Sequence, residues 1–424
     1  MSGLTRTEER ALRAVDHRDA VALLAELLAV PSVSGSAAES DIQHLLAKRL
    51  ERLDLDVDQW RFDLDGLARK PGFPGVESAR DEAWGLVGTW PGEGTVPSLV
   101  LQGHVDVVPP GDLRRWSAGP FDPVVTSDRI RARGACDMKA GVAANLAALA
   151  AIKRAGVVLR GTFALHFVIG EEDGGLGTFG TLDRGHTGRT CIITEPTGGT
   201  LTTANAGALT FTIEVPGLAT HASTSYAGWS AIDSYVALHR GLHELQERRN
   251  RVVEPLLREY PLAYPISVGR LRAGDWASSV PDLLVAEGRM GIGIAEEPGA
   301  ARAELEEHIA SIAALDPFLL DHPPRVSWSG GQFAGGSLPP GHPLRETVSE
   351  AHADATASSR PRERGAPYGS DLRLYQAEDV PTLHYGPGDV RLAHGPDESV
   401  SIRELVTVTR VLVLSILRSC GTVS

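Results

Sequence analysis

Three short apolar runs, SLVLQG, GTFALHFVIG and TCIIT, are spaced by helical patterns such as MKAGVAANLAALAAIKRAG, and each run ends in a polar cluster. Few folds satisfy this alternation: it specifies an α/β sheet with helices on both faces. In open sheets of that kind chemistry gathers beyond the carboxyl ends of the strands, where loops carry side chains over the sheet edge. The polar clusters stand at those ends.

The alternation follows a helix pattern at about residues 16–30 (DHRDAVALLAELLAV), which Pro31 and Gly35 interrupt. Its character changes near residue 206. There TFTIEV alternates cleanly, a helix pattern follows (Ile232, Val236, Leu242, Leu245), and the runs ISVGRLR and LLVAEGRMGIG come next. A second helix pattern, AARAELEEHIASIAAL, and a strand, RVSWS, complete a β-α-β-β-α-β order. After GGQFAGGSLPPGHP the helix and strand signals resume, ending in a closing helix, SIRELVTVTRVLVLSILRS. At 424 residues the chain is too long for one core. The expected division is a discontinuous domain at 1–205 and 331–424 with a small domain inserted at 206–330. The segment from Leu67 to Ala83 has no periodicity and is assigned no regular structure.

Composition narrows the partners. Hydrophobic residues at 42% and charged residues at 22% describe an ordinary folded protein. An excess of 54 acidic over 41 basic residues, a formal charge of -13, repels phosphate backbones and argues against nucleic acid. The Arg- and Glu-rich start is not an apolar leader, and no run approaches the roughly 20 apolar residues of a membrane span. The expectation is a cytoplasmic protein with no membrane partner. Cys136, Cys191 and Cys420 show neither disulfide nor thiolate-site spacing, so a metal here must be held by His and carboxylates.

Those residue types recur at the strand ends. His104 and Asp106 follow LVLQG two apart, so both project from one face of an extended chain, and one can bind metal while the other steers it. A solvated strand end is the plainer alternative. Asp137 in RGACDMKAG precedes a helix pattern, where it is equally suited to N-cap that helix. Glu171 and Glu172 put two like charges after a strand, a costly arrangement without a compensating cation. TCIIT runs into Glu195, and His394 follows PTLHYGPGDV. His104, Asp137, Glu172, Glu195 and His394 together supply two imidazoles and three carboxylates, enough for two metals at about 3.5–4 Å sharing one carboxylate. Nitrogen and oxygen donors without thiolate suit zinc, with cobalt or manganese as alternatives.

The order His-x-Asp, Gly-Ala-Cys-Asp-Met-Lys, Gly-Glu-Glu, Glu-Pro and a late His-Gly resembles the M20 metallopeptidases, the family of acetylornithine deacetylase, succinyl-diaminopimelate desuccinylase, aminoacylase and carboxypeptidase G2. The resemblance implies a zinc-binding α/β domain with a mixed sheet, interrupted by a ferredoxin-like α+β lid that also forms a homodimer. It implies that Asp137 bridges two zinc ions, that Glu195 goes with His104, and that Glu171 is the general base. It also implies a cis bond from Asp137 to Met138. In the lid, His221 matches a histidine that donates to the substrate carbonyl and Arg289 an arginine that clamps the substrate carboxylate. Gly369, Ser370 and Asp371 match a motif lining the substrate pocket. Ser278 and Ser279 depart from the family, which often carries Asn-Val-Val-Pro there.

The expected activity is hydrolysis of an amide in a small carboxylate-bearing substrate, foremost deacylation of an N-acyl amino acid. A dipeptidase or carboxypeptidase on the same scaffold is the second reading. A binding protein that has lost the chemistry is the third, and intact ligands argue against it.

Overall fold

The computed structural model describes residues 3–423, which form two compact units. The first comprises residues up to Thr203 together with Ser337–Arg364 and the chain from Asp371 onward, and the second Ala204–Gly336 and Gly365–Ser370.

In the first unit six strands of a nine-stranded sheet lie in the order Asp56–Arg61, Trp84–Trp90, Phe163–Val168, Leu99–His104, Cys191–Ile193, Thr382–His384. The sheet is mixed, because the last four of these run parallel while the first two pair antiparallel. Parallel strands need crossovers, and helices supply them. Alternation along the strands sorts side chains to two apolar layers. Leu99, Leu101, Phe163, Leu165 and Ile192 join the large core that includes helices Lys139–Arg154 and Ile402–Cys420. Val100, Ala164, Cys191 and Ile193 pack instead with Leu182, Leu372 and Tyr375. Helices therefore cover both faces.

Helix Lys139–Arg154 is buried almost throughout, and its run of alanines lets it lie close to the sheet. At Gly141 the approach is closest: a Cβ there would stand 2.2 Å from the Thr194 carbonyl oxygen. That contact sets the height of the strand end from which Glu195 emerges. The predicted first helix is His17–Leu28, N-capped by Asp16. A further helix, Arg6–Arg13, precedes it with a Thr5/Glu8 capping box that the sequence reading passed over. Of the segment assigned no regular structure, Leu67 and Ala68 end a short helix, Leu64–Ala68, because Asp63 caps it.

The second unit carries a four-stranded antiparallel sheet ordered Ile266–Ala273, Leu283–Ile292, Gly207–Pro216, Arg325–Phe333, with helices Ala231–Arg249 and Pro298–Ala313. This is the ferredoxin-like arrangement. Leu209, Phe211, Ile213 and Val215 alternate toward the helices and form its core with Leu238, Leu242, Leu305 and Ile309. Among the described residues no helix is long and apolar enough to cross a membrane.

Candidate metal centre

His104 is the last residue of its strand, and the chain turns after it so that Asp106 is wholly buried. One Asp106 oxygen lies 3.5 Å from His104 Nδ1, and the Asp106 carbonyl is 3.1 Å from the same nitrogen. With Nδ1 held on that side, Nε2 points the other way, 3.1 Å from Asp137 and 3.8 Å from Glu195. Asp106 does more than steer the histidine. Its carboxylate accepts from the backbone N–H groups of Glu171 (3.3 Å) and Glu172 (3.2 Å) and from the Ser34 hydroxyl (3.0 Å). One buried carboxylate thus ties two strand ends together.

Asp137 does not cap the following helix: the N-cap position is Met138, and it makes no side-chain cap bond. The Asp137–Met138 peptide bond is cis. The Asp137 carboxylate stands between the two imidazoles, 3.1 Å from His104 and 3.6 Å from His394. His394, at a left-handed φ of 62°, also meets Glu172 at 3.1 Å. The five residues singled out in the sequence therefore form one chain, Glu195–His104–Asp137–His394–Glu172.

Two overlapping donor groups, His104 with Glu171 and Glu195, and His104 with Asp137 and Glu172, each offer ligand atoms within 4.8 Å of one another. Burial pushes the Glu171 and Glu195 carboxyls well above the usual carboxylate range, and the neighbouring Glu195 and Asp371 (for Glu171) and Asp137 (for Glu195) push them further. Burial alone would lower His104, but its hydrogen bonds to Asp106 and Asp137 outweigh that and hold it well up. Attraction to Glu172 raises His394 to about 11. Two imidazoles thus stand among crowded carboxylates, an arrangement whose charge a divalent cation would compensate. The donors fit such an ion without thiolate, since Cys136 turns its Sγ to the Asp389 carbonyl at 3.0 Å and burial holds it as the thiol.

The other expected residues are placed as follows. Asp371 is fully buried, and its carboxylate is held by Thr178 (2.5 Å) and Gln102 (3.3 Å), so it supports the strand under the centre. Ser370 is buried, and at Gly369 a Cβ would lie 2.4 Å from Phe333 Cβ, so packing against this ring requires the glycine. His221, in the second unit, is exposed and caps a short turn through Nδ1 and Ser223. Ser278 and Ser279 work through their backbones: the Ser278 carbonyl accepts from Ala222 N–H at 2.9 Å, and Ser279 bridges to His221. Arg289 is exposed, with its guanidinium 5.1 Å from the centre of the Phe333 ring.

Several buried charged residues to which the sequence reading gave no role lie on the segments that carry the cluster. Arg80 forks between Glu39 and Asp173, the residue after Glu172, with all three side chains nearly inaccessible. Lys139 is buried and donates to the carbonyls of Leu27 (3.0 Å) and Val30 (2.8 Å). Arg133 and Glu398 form a buried pair at 2.6 Å beside Asp137.

A histidine–carboxylate cluster at the carboxyl ends of parallel strands, with a spare buried glutamate beside it, defines a hydrolase of the metal-dependent type. The model of peptidase family M20/M25/M40 matches residues 100–418, and the chain belongs to that family, whose members hydrolyse amide bonds. The chain is 29% identical over 423 residues to the N-formyl-4-amino-5-aminomethyl-2-methylpyrimidine deformylase of Halalkalibacterium halodurans, with 94% of each chain covered. It is 28% identical over 319 residues to the succinyl-diaminopimelate desuccinylase of Xanthomonas euvesicatoria pv. vesicatoria, covering 73% of this chain and 80% of that one. The fold matches the di-peptidase Dug1p from Saccharomyces cerevisiae with a TM-score of 0.80 at 12% identity, over 99% of this chain and 100% of that one.

Proposed function

We propose that the protein is a zinc-dependent deacylase that hydrolyses the amide of a small N-acylated amine, foremost an N-acyl amino acid. The observation that carries this is Asp137 standing between His104 and His394, each of which also meets its own glutamate. In this reading His104, Glu195 and Asp137 would hold one ion, and His394 and Glu172 would hold a second alongside Asp137. Bound zinc would supply Lewis acidity to the amide carbonyl and to the attacking water.

Glu171 takes a proton from that water and returns it to the leaving amine, so the C–N bond breaks to a carboxylic acid and a free amine. Its burial and acidic neighbours raise its pKa, which suits a group that must hold the proton between those steps. Asp106 keeps His104 and the Glu171 backbone in register. Arg289 clamps the substrate carboxylate, His221 donates to the carbonyl oxygen, and Gly369, Ser370 and Asp371 shape and support the pocket. A homodimer through the second unit belongs to the same proposal, supported by exposed Ile232 and Val236 on helix Ala231–Arg249. So does a cytoplasmic setting, supported by three buried cysteines without a disulfide.

Deacylation is preferred to dipeptide cleavage because the two sequence relatives are by name a deformylase and a desuccinylase, whereas the di-peptidase is similar in fold alone. A second reading, deformylation of an N-formyl aminomethylpyrimidine, is favoured by the deformylase matching along 94% of the chain. Such a substrate has no carboxylate for Arg289. The test is amine release from N-acyl amino acids, dipeptides and the N-formyl pyrimidine, with metal content measured alongside, for wild type, Glu171→Ala and Arg289→Ala. An N-acyl amino acid as best substrate, with turnover lost in Glu171→Ala and KM raised in Arg289→Ala, supports the first reading. Preference for the pyrimidine with indifference to Arg289 supports the second. A protein that binds no metal, or an unaffected Glu171→Ala, overturns the mechanism.

A further inference from the structure

The two histidines of the centre are held in different ways. His104 is 1% exposed and its ring is steered by Asp106, whereas the His394 side chain is 50% exposed and meets only the cluster's own carboxylates. A half-exposed ring on a non-glycine residue at a φ of 62° needs its backbone held by something else.

We infer that the buried Arg133–Glu398 pair is a positioning device for the His394 half of the metal centre, setting Asp137 and His394 against each other through their main chains. The inference rests on the metal-centre reading above. One Glu398 oxygen accepts from the backbone N–H groups of Cys136 (2.7 Å) and Asp137 (2.9 Å). The other accepts from Arg133 at 2.6 Å. Arg133 in turn donates to the backbone carbonyls of His394 (3.2 Å), Gly395 (3.3 Å) and Pro109 (3.4 Å). A single relay therefore runs from the amide of the shared aspartate to the carbonyl of the second histidine. Both charged side chains are 1% exposed. A buried ion pair adds little net stability over an apolar replacement, because desolvation cancels most of its attraction. Its use here is geometric: Asp137 Oδ2 and His394 Nε2 stand 3.6 Å apart, and a shift of either backbone would spoil a site needing donors from both. Arg133 and Glu398 touch no reacting group and act through their neighbours.

The test uses the full-length protein equilibrated across a series of zinc buffers, with bound zinc per chain, melting temperature, kcat and KM measured for wild type, Glu398→Gln, Arg133→Lys, His394→Ala and Glu398→Gln combined with His394→Ala. Wild type should hold about two ions. Each positioning variant should keep one ion at wild-type affinity and bind the other about 10- to 100-fold more weakly, with kcat restored by excess zinc and KM unchanged. The combined variant should bind its remaining ion as His394→Ala does. Retention of both ions at wild-type affinity, or equal weakening of both, overturns the inference. If Glu398→Gln does not fold, Arg133→Lys decides by the same criteria, since it keeps the charge beside Glu398 and loses the fork to the carbonyls of His394, Gly395 and Pro109. Failure of both to fold would make the pair a folding element and also overturn the inference. A wild type that binds no zinc would instead overturn the metal-centre reading.

Discussion

Replacing Arg80 with methionine should damage the first unit more than any surface charge could. Its guanidinium donates to Glu39 at 2.8 and 3.0 Å and to Asp173 at 2.8 and 3.2 Å. The Arg80, Glu39 and Asp173 side chains are 2%, 1% and 4% exposed, so solvent does little to screen them. Removing one partner from such a network leaves charge buried without compensation, at a cost of about 3–5 kcal/mol. At roughly 2–4 °C per kcal/mol for a unit of this size, the melting temperature should fall by about 6–20 °C. Methionine fills much of the arginine stem's space, so the loss reports charge rather than a cavity. Differential scanning calorimetry of wild type, Arg80→Met, and Arg80→Met combined with Glu39→Gln and Asp173→Asn separates the terms. The triple variant should recover part of the loss, because it no longer buries two unpaired carboxylates. A single variant within about 0.5 kcal/mol of wild type, or a triple variant less stable than the single, would refute the reasoning.

Burial pushes the Glu39 carboxyl up to about 7 despite Arg80. The folded state therefore keeps a proton that the unfolded chain releases near the ordinary value of 4.5, and this contribution to stability is complete below about pH 4.5 and lost as pH rises through about 7. Urea titrations at several pH values should show a fall in wild type over that window and a flatter profile in Glu39→Gln; parallel profiles would contradict it. Gly141→Ala should destabilise by about 1–3 kcal/mol and lower zinc affinity, since its Cβ would press on the Thr194 carbonyl one residue before Glu195. Calorimetry and zinc titration check both, and an unchanged protein would show that the helix has room to move. Dialysis against a chelator should abolish hydrolysis and added zinc should restore it; activity that survives complete metal removal would exclude the proposed chemistry.

The residue types of the candidate site were legible because strand ends are local features. Each apolar run closes with its polar residue, so His104, Glu171, Glu172 and Glu195 could be named without knowing the fold, and the clean alternation of TFTIEV marked the second unit's central strand. The residues that support them carry no such mark. Arg80 lies in a stretch without periodicity, and Glu398 reads as one more charge in LAHGPDES. The helix Arg6–Arg13 escaped because its charged composition hides the capping box that starts it. Asp371, matched to a pocket lining, is wholly buried, and its hydrogen bonds to Thr178 and Gln102 could not be read from the sequence.

The amino-acid order by itself carried the main alternation of strands and helices, the β-α-β-β-α-β order of the second unit, and a set of imidazoles and carboxylates without thiolate, because hydrophobic period and residue chemistry are written along the chain. Only the tertiary structure decided which donors meet and what holds them. Parallel pairing brings the ends of strands Leu99–His104, Phe163–Val168 and Cys191–Ile193 side by side. The buried pair that spans Asp137 and His394 joins residues 265 positions apart. Spacing along a chain carries no distance across a sheet, so the second layer of the site exists only once the strands have found their register.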